Sequence, residues 1–276
     1  MNRATDAPGD HDKRDGSLLV LALLALAVGA ASGLLGALFL LLLEWADRFR
    51  DSAILWAHSK AFLGFLLVSF ACAVAAGLAA RLVRLYSPFA SGSGIPHVEA
   101  VLNEELPQAP FRIIPVKFVG GVLAIGAGLA LGREGPSVQM AATIGHLIGK
   151  LSRRGWPDCR VLLAAGAGAG LATAFNAPIA GAIFVLEELV RRFELRIAIA
   201  ALGASATAIS VSRVLLGDAP DFRVGAFLHA EAATRPRVAK YAAVLANWAG
   251  LPVAQLPPKK KTIAGRRSAF RQPGGK

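Results

Sequence analysis

The sequence predicts an all-α membrane protein built from tilted and broken helices. Apolar residues make up 55% of its 276 residues and charged residues only 17%, whereas a soluble domain carries about 25% charged residues. The mean hydropathy is +0.53. Several uncharged runs are long enough to cross the roughly 30 Å of hydrocarbon in a bilayer. Glycine or proline interrupts other runs, as in membrane proteins whose helices break near the midplane.

The first two apolar runs are uninterrupted. Residues 17–43 carry no charge over 27 positions, which predicts a transmembrane helix with some tilt. Residues 44–60 contain charges of both signs and are predicted to be a polar connection. Residues 61–80 form a second uncharged run of spanning length.

The later apolar runs are short or broken. A loop rich in Ser, Pro and Gly is predicted over residues 85–94, and residues 95–106 are too short and too charged to span. Residues 161–186 are uncharged, but Pro178 forbids an uninterrupted helix there without a kink. The other apolar runs cover residues 118–132, 135–149 and 197–212.

Glycines four residues apart let helix backbones approach closely in lipid, which predicts a tightly packed bundle. The pairs are Gly29 and Gly33, Gly128 and Gly132, Gly145 and Gly149, and Gly166 and Gly170.

The two ends of the chain differ from its middle, so we predict three parts. Residues 1–16 are a polar leader without the basic start and apolar run of a signal peptide. Residues 17–217 form the membrane part. Residues 218–276 form a basic tail, and both a disordered segment and a frameshifted one would fit its composition. The whole chain has a net charge of +12, and most of it lies in this tail, where ten Lys and Arg residues and a single acid follow residue 230.

Composition and motif content also exclude some functions. A basic tail can contact anionic lipid or nucleic acid, but the membrane part is nearly neutral, so nucleic acid is not an expected partner. Two cysteines cannot build a disulfide framework. We expect neither an enzyme nor a cofactor or metal, because the histidines show no metal or nucleophile–base spacing: His11, His58, His97, His146 and His229.

The first motif is Gly-Ser-Gly-Ile-Pro at residues 92–96. Its two glycines can expose backbone amides, and Pro96 suits the first turn of a following helix. A helix N-terminus with free N–H groups favours an anion, and Ser93 adds a hydroxyl donor. Taken alone, the motif is better explained as a Ser/Gly loop with a helix cap.

The second motif is Gly-Arg-Glu-Gly-Pro at residues 132–136, between two apolar segments. Charges at membrane depth are costly and tend to mark pathways. Glu134 at a helix start would occupy the place of a free anion, so its protonation would open that place. The alternative, equally well supported, is that Arg133 and Glu134 snorkel to the interface.

The third motif runs from Ala174 to a Glu-Glu pair at residues 187–188. Asn176 is a predicted N-cap for the half-helix that starts at Pro178. Acids at a helix C-terminus interact unfavourably with the macrodipole, so the presence of Glu187 and Glu188 there requires an explanation. Proton entry is one reason, and pairing with the arginines at 191 and 192 is the other.

In this order the three motifs resemble those of the CLC family of chloride channels and transporters, and the likeness covers residues 17–217 and includes Lys117. The resemblance implies an all-helical membrane protein of two inverted-topology halves, of which this chain is the first. It also implies a homodimer once both halves are present, with one anion pathway per subunit. An integral, multi-pass protein of the plasma membrane with a cytoplasmic N-terminus is expected, in contact with lipid.

The resemblance also assigns roles to residues. Ser93 corresponds to the serine that binds the central anion in chloride-selective members, Glu134 to the external gate and proton acceptor, and Glu188 to the internal proton acceptor of exchangers. We therefore expect a chloride/proton exchanger with chloride as substrate. The predicted anion site comprises Gly92, Ser93, Gly94, Ile95, Arg133 and Gly135.

One departure from the family pattern qualifies this expectation. The family's second half supplies a Gly-x-Phe-x-Pro segment and a pathway tyrosine, but no such segment follows residue 190 and Tyr241 lacks a matching context. The chain is therefore expected to be a truncated exchanger, and transport by the chain alone and its absence both stay open. The alternative is a non-transporting membrane fragment, or a partner of full-length CLC subunits.

Overall fold

A computed structural model describes residues 8–108 and 110–217 of the chain. Within this part all regular structure is helical, as the sequence predicts. The helices are α1 (Pro8–His58), α2 (Ala61–Tyr86), α3 (Ile95–Leu102), α4 (Ile113–Gly126), α5 (Glu134–Leu151), α6 (Trp156–Phe175), α7 (Pro178–Phe184) and α8 (Leu195–Leu216). A 3₁₀ turn, Pro88–Ala90, precedes α3, and a π-helical turn, Val185–Leu189, follows α7. The predicted tail, residues 218–276, lies outside the described residues.

Four of the described helices, α1, α2, α6 and α8, are long and apolar enough to cross a membrane. Helix α4, with 14 residues, is apolar but shorter. This confirms the prediction of a multi-pass membrane protein in which spans of full length alternate with shorter helices.

Helix α1 differs from the prediction, because residues 44–58 continue it instead of forming a connection. No glycine or proline interrupts this stretch. Two ion pairs also lie along the helix surface, Arg48 with Glu44 (3.3 Å) and Arg50 with Asp47 (2.7 Å). At 1.5 Å per residue, its 51 residues extend about 76 Å, well over twice the hydrocarbon thickness. The predicted polar connection was therefore wrong.

The C-terminal third of α1 has an aromatic outer face. Trp45, Phe49 and Trp56 are 71%, 78% and 49% exposed, and their spacing places them on one side of the helix. Aromatic side chains are enriched at the boundary between hydrocarbon and water. This part of α1 therefore has the surface of a segment at the membrane interface.

Helices α5 and α6 pack with their backbones in contact. A methyl group on Gly145 would lie 2.7 Å from the carbonyl carbon of Leu162, and one on Gly166 would lie 2.9 Å from that of Ala141. The same holds at Gly29 and Gly33 of α1, which lie against Ala204 and Ala208 of α8. These glycine pairs thus bring helix backbones together, as predicted.

The pair Gly128 and Gly132 does not pack helices and was wrongly included. Both residues lie after α4, and Gly128 has a φ of +93° where the chain leaves that helix. A glycine is favoured there because the left-handed region is costly for residues with a Cβ.

The predicted break before Pro178 is present, but Asn176 plays a different part in it. Asn176 has φ 52° and ψ 37° and ends α6, whereas Ala177 precedes α7. The Asn176 side-chain oxygen accepts a hydrogen bond from Arg213 Nε of α8 (3.1 Å). Asn176 is therefore the C-cap of α6, consistent with the tolerance of asparagine for the left-handed region, and the N-cap prediction was wrong.

Candidate anion site

The serine loop, residues 88–95, comprises the 3₁₀ turn and the residues that lead into the start of α3. Gly92 and Gly94 have φ values of +67° and +92°, which favour glycine. Gly94 is the residue before α3, and Pro96 lies in its first turn, as predicted. Ser93 is exposed and Gly94 is buried. The loop therefore presents its serine and buries the glycine behind it.

The first and second motifs are in contact. A methyl group on Gly135 would come within 2.5 Å of the Ser93 hydroxyl oxygen and 2.9 Å of its carbonyl carbon. Gly135 is buried in the first turn of α5. Only a residue without a side chain lets the serine loop lie against that turn, so the tertiary fold unites two motifs that are about forty positions apart in the chain.

Lys117 of α4 holds the loop from the other side. Its Nζ donates to the carbonyl oxygens of Ala90 (2.9 Å) and Gly92 (2.7 Å), and the residue is only 5% exposed. A buried ammonium group needs such partners. The two bonds occupy carbonyl oxygens of the loop and place a positive charge beside it, which favours a nearby anion.

Glu134 is the first residue of α5 and is half-buried. Its carboxylate lies over Gly132, whose missing side chain leaves the necessary space. A carboxylate at a helix N-terminus is stabilised by the helix dipole. Glu134 therefore occupies the positively polarised end of α5, next to the turn that touches Ser93.

Ser93, Lys117 and Glu134 line one cleft, with a volume of about 610 Å³. Small residues of α2 and α4 form a large part of its walls, among them Ala76, Ala79, Ala80, Gly120, Gly121 and Ala124. The cleft combines a hydroxyl, two cations (Lys117 and Arg84) and a carboxylate with largely apolar walls, and a few polar groups in an apolar pocket are typical of a ligand-binding site.

The predicted anion ligands are only partly brought together. Gly92, Ser93 and Gly135 line the cleft, whereas Gly94, Ile95 and Arg133 do not. Arg133 precedes α5 and its carbonyl oxygen accepts a hydrogen bond from the Ser137 hydroxyl (2.9 Å).

Glu188 lies apart from the cleft, exposed on the π-helical turn together with Glu187. The ion pair that Arg191 forms is with Glu99 of α3 (2.9 Å). Its Nε also donates to the carbonyl oxygen of Glu188 (3.3 Å). The predicted ion pairing of these acids with Arg191 is therefore wrong, because the Arg191 side chain pairs with Glu99 and contacts only the main chain of Glu188.

Sequence reasoning missed Gln139, which lies in α5 one turn beyond Gly135. It is 1% exposed, and its Nε2 donates to the carbonyl oxygen of Phe89 in the serine loop (2.9 Å). A single amide within the uncharged run 135–149 was the available signal, because a polar side chain at membrane depth usually has a specific partner.

Sequence reasoning also missed Arg160 of α6, which contacts two other helices. Its Nε donates to the carbonyl oxygen of Leu102, the last residue of α3 (3.0 Å). Its Nη1 binds both carboxylate oxygens of Glu194, the residue before α8 (3.1 and 3.2 Å). Arg160 thus ties the end of α3 and the start of α8 to α6.

Comparison with known proteins identifies relatives of this chain. A family described as voltage gated chloride channel matches residues 73–252, from within α2 to beyond the end of α8. The H(+)/Cl(-) exchange transporter ClcA of Salmonella arizonae is 38% identical over 218 residues, and that of Citrobacter koseri is 39% identical over the same length. Each alignment covers 77% of this chain and 46% of the relative.

Solved structures show the same fold. A slow cyanobacterial Cl⁻/H⁺ antiporter is 33% identical, with a TM-score of 0.70 over 75% of this chain and 49% of its own. A CLC-type fluoride/proton antiporter is 30% identical, with a TM-score of 0.62 over 76% and 52%. A eukaryotic CLC transporter, 22% identical, shares the fold with a TM-score of 0.64 over 77% and 40%.

The chain spans about half the length of the curated relatives it matches. Those relatives are named as transporters. The family match covers more than half of this chain, and the helical architecture agrees with that of solved CLC proteins. This chain belongs to the voltage gated chloride channel family.

Proposed function

We propose that this chain forms one half of a chloride/proton exchanger, with chloride held at Ser93 and Glu134 acting as gate and external proton acceptor. The observation that carries the proposal is the contact between Ser93 and Gly135. It places the serine loop against the helical turn that begins at Glu134. An anion at the serine and the carboxylate of the gate would therefore occupy neighbouring positions.

The local charges give a physical basis for exchange. The N-termini of α3 and α5 and the ammonium group of Lys117 favour negative charge near the loop. The ionised Glu134 carboxylate competes with chloride for this favourable region. Protonation of Glu134 removes its charge and the competition, so that proton uptake and chloride entry become linked.

Glu188 is the proposed internal proton acceptor. Its exposure and its absence from the lining of the cleft support separate entry points for protons and chloride. The names of the relatives and of one solved structure as H⁺/Cl⁻ exchangers support proton-coupled transport in general. One solved relative is a fluoride/proton antiporter, so chloride must be tested against fluoride.

The test is to reconstitute the full chain in liposomes and record chloride and proton movement together. We expect chloride efflux to drive proton uptake in the wild type, with no comparable response to fluoride. Glu134→Gln should abolish the proton movement. Glu188→Gln should do the same, whereas Glu187→Gln, at the adjacent exposed acid, serves as the matched control. Fluxes equal to those of empty liposomes would reject self-sufficient transport.

A second candidate is that the chain does not transport by itself and associates with full-length CLC subunits. The observation that favours it is the exposure of the irregular backbone at Ser91, Gly92 and Ser93 beside membrane helices. In lipid such backbone requires cover by protein or by a water-filled cavity. Co-purification with a co-expressed full-length relative would support this candidate, and chloride flux by the chain alone would reject it.

A further inference from the structure

We propose that Gln139 is a positioning residue that holds the serine loop on α5, so that the site for the anion and the helix carrying the gate move as one unit. This inference rests on the proposed function for the roles of Ser93 and Glu134. The attachment itself stands on contacts that can be tested without any ion. Four observations support it.

The first observation is that side chains from two helices occupy the carbonyl oxygens of the loop. Gln139 Nε2 donates to Phe89, and Lys117 Nζ donates to Ala90 and Gly92. Carbonyl oxygens carry partial negative charge and would repel an anion. Binding three of them to donors favours a loop conformation that offers amide and hydroxyl groups to a negative ion.

The second observation concerns which helices supply these donors. Lys117 belongs to α4, whereas Gln139 belongs to α5, the helix that begins at Glu134. Gly135 and Gln139 are one turn apart and therefore lie on the same face of α5. Gly135 contacts Ser93 and Gln139 contacts Phe89. This face of α5 thus contacts the serine loop near its start, at Phe89, and near its end, at Ser93.

The third observation is the close packing of Gln139 against Gly94. A methyl group on Gly94 would lie 2.6 Å from Cδ and 2.9 Å from Cβ of Gln139. Gly94 has a left-handed conformation immediately before α3. The amide side chain therefore fills the space beneath the turn and leaves room only for glycine there.

The fourth observation is an unsatisfied atom. Gln139 is 1% exposed, and its Oε1 has no hydrogen-bond partner among the described residues. Leaving a buried acceptor without a donor is costly, so the amide orientation needs a compensating contact. The bond from Nε2 to the carbonyl oxygen of Phe89 is that contact. Turning the amide over would lose this bond and bring Oε1 against the Phe89 oxygen. The loop contact therefore dictates the orientation of the Gln139 amide.

The proposal is tested with the full chain in detergent, by hydrogen exchange of the peptide that covers residues 88–95. In Gln139→Met the side chain keeps its length but loses its donor, and we expect exchange in this peptide to be about tenfold faster without chloride. The matched control is Gln108→Met. Gln108 also donates to α5, at Thr143 Oγ1 (3.3 Å), and its loss should leave the exchange of the serine loop unchanged.

Chloride titration of the same variants separates the two proposals. If the wild type binds chloride, Gln139→Met should weaken that affinity about tenfold, whereas Gln108→Met should preserve it. If the wild type binds no chloride but the serine loop exchanges faster in Gln139→Met, the proposed anion site is rejected for the isolated chain. The attachment of the loop to α5 by Gln139 is then still supported. Equal loop exchange in the two variants would overturn the role of Gln139.

A second variant approaches the same contact from the loop and applies if Gln139→Met fails to fold. Gly94→Ala introduces a Cβ that meets Gln139, besides the strain of its φ angle. Adding Gln139→Ala opens space for that Cβ, so the double variant should be more stable than the sum of the single changes predicts. Strict additivity would contradict the packing of Gln139 on the loop.

Discussion

Helices α2 and α6 are both long enough to cross a membrane, yet they occupy opposite environments. In its most apolar stretch α2 is only 11% buried, whereas α6 is 83% buried. The more apolar of the two is the exposed one, with large side chains such as Phe62, Phe65 and Phe70 facing outward. Helix α6 instead carries alanine and glycine through its buried centre, residues 164–170.

The difference shows what selects a buried position in this protein. Lipid tails are as apolar as leucine, so apolar character gives a helix no preference for the interior of the bundle. Small residues do, because they let the α6 backbone lie against α5 and gain close packing. Four pairs of substitutions test this comparison, and each pair combines a change at a buried residue with a similar change at an exposed one.

The largest effect is expected from Gly166→Val in α6. The added side chain would overlap the main chain of Ala141, which cannot move without separating α5 from α6. We expect a loss of about 3 kcal/mol or more in the free energy of unfolding. The control is Gly77→Val in α2, where an added Cβ meets nothing within 4 Å. Unfolding titration in SDS measures both, and similar losses would contradict the comparison.

A cavity test should give the next largest difference. Leu162 of α6 is fully buried, and Leu162→Ala should cost about 2–5 kcal/mol because the tightly packed surroundings cannot close the space. Leu78 of α2 is 53% exposed. Lipid can fill the space left by Leu78→Ala, so we expect a much smaller cost there. Equal costs in the same titration would show that α2 is packed against protein.

Lys117→Met extends the comparison to polar contacts. Its loss leaves the carbonyl oxygens of Ala90 and Gly92 without their donor, which should cost about 2 kcal/mol. Lys150, exposed at the end of α5, provides the match, and Lys150→Met should change stability by less than about 0.5 kcal/mol. The prediction fails if Lys117→Met unfolds at the same SDS concentration as the wild type.

The smallest effect concerns ion pairs. Arg160→Met removes the bonds that tie α3 and α8 to α6 and should destabilise the protein by about 1 kcal/mol. The pair between Arg48 and Glu44 is exposed on α1, with side chains 76% and 58% accessible. Arg48→Met should therefore have an effect near zero. Thermal unfolding measures both variants. Equal shifts of the unfolding temperature would show that the Arg160 contacts contribute nothing to stability.

Local signals explain which parts of the fold could be predicted. The break before Pro178 follows from the geometry of proline, and the helical, multi-pass class follows from composition, so both predictions were confirmed. The connection predicted at residues 44–60 was wrong because charged residues were taken as a sign of a loop. They instead form ion pairs along α1, beside an exposed aromatic face of the same helix.

The candidate site was predictable only in its separate parts. Ser93, Glu134 and Glu188 were singled out by their motifs, and their roles in transport stay predictions. Gln139 was missed because its partner is a main-chain oxygen fifty positions away: a lone amide in an apolar run indicates that a partner exists, but not which one.

The sequence by itself determined the helical class, the membrane location, the family and the helix break before Pro178. These properties depend on composition, on proline and glycine, and on contacts within a few residues. Only the tertiary structure decided that Ser93 lies on Gly135, that Lys117 and Gln139 hold one loop from two helices, and that α6 rather than α2 is buried. Those outcomes depend on which backbones approach one another, and that is set by packing between distant small residues.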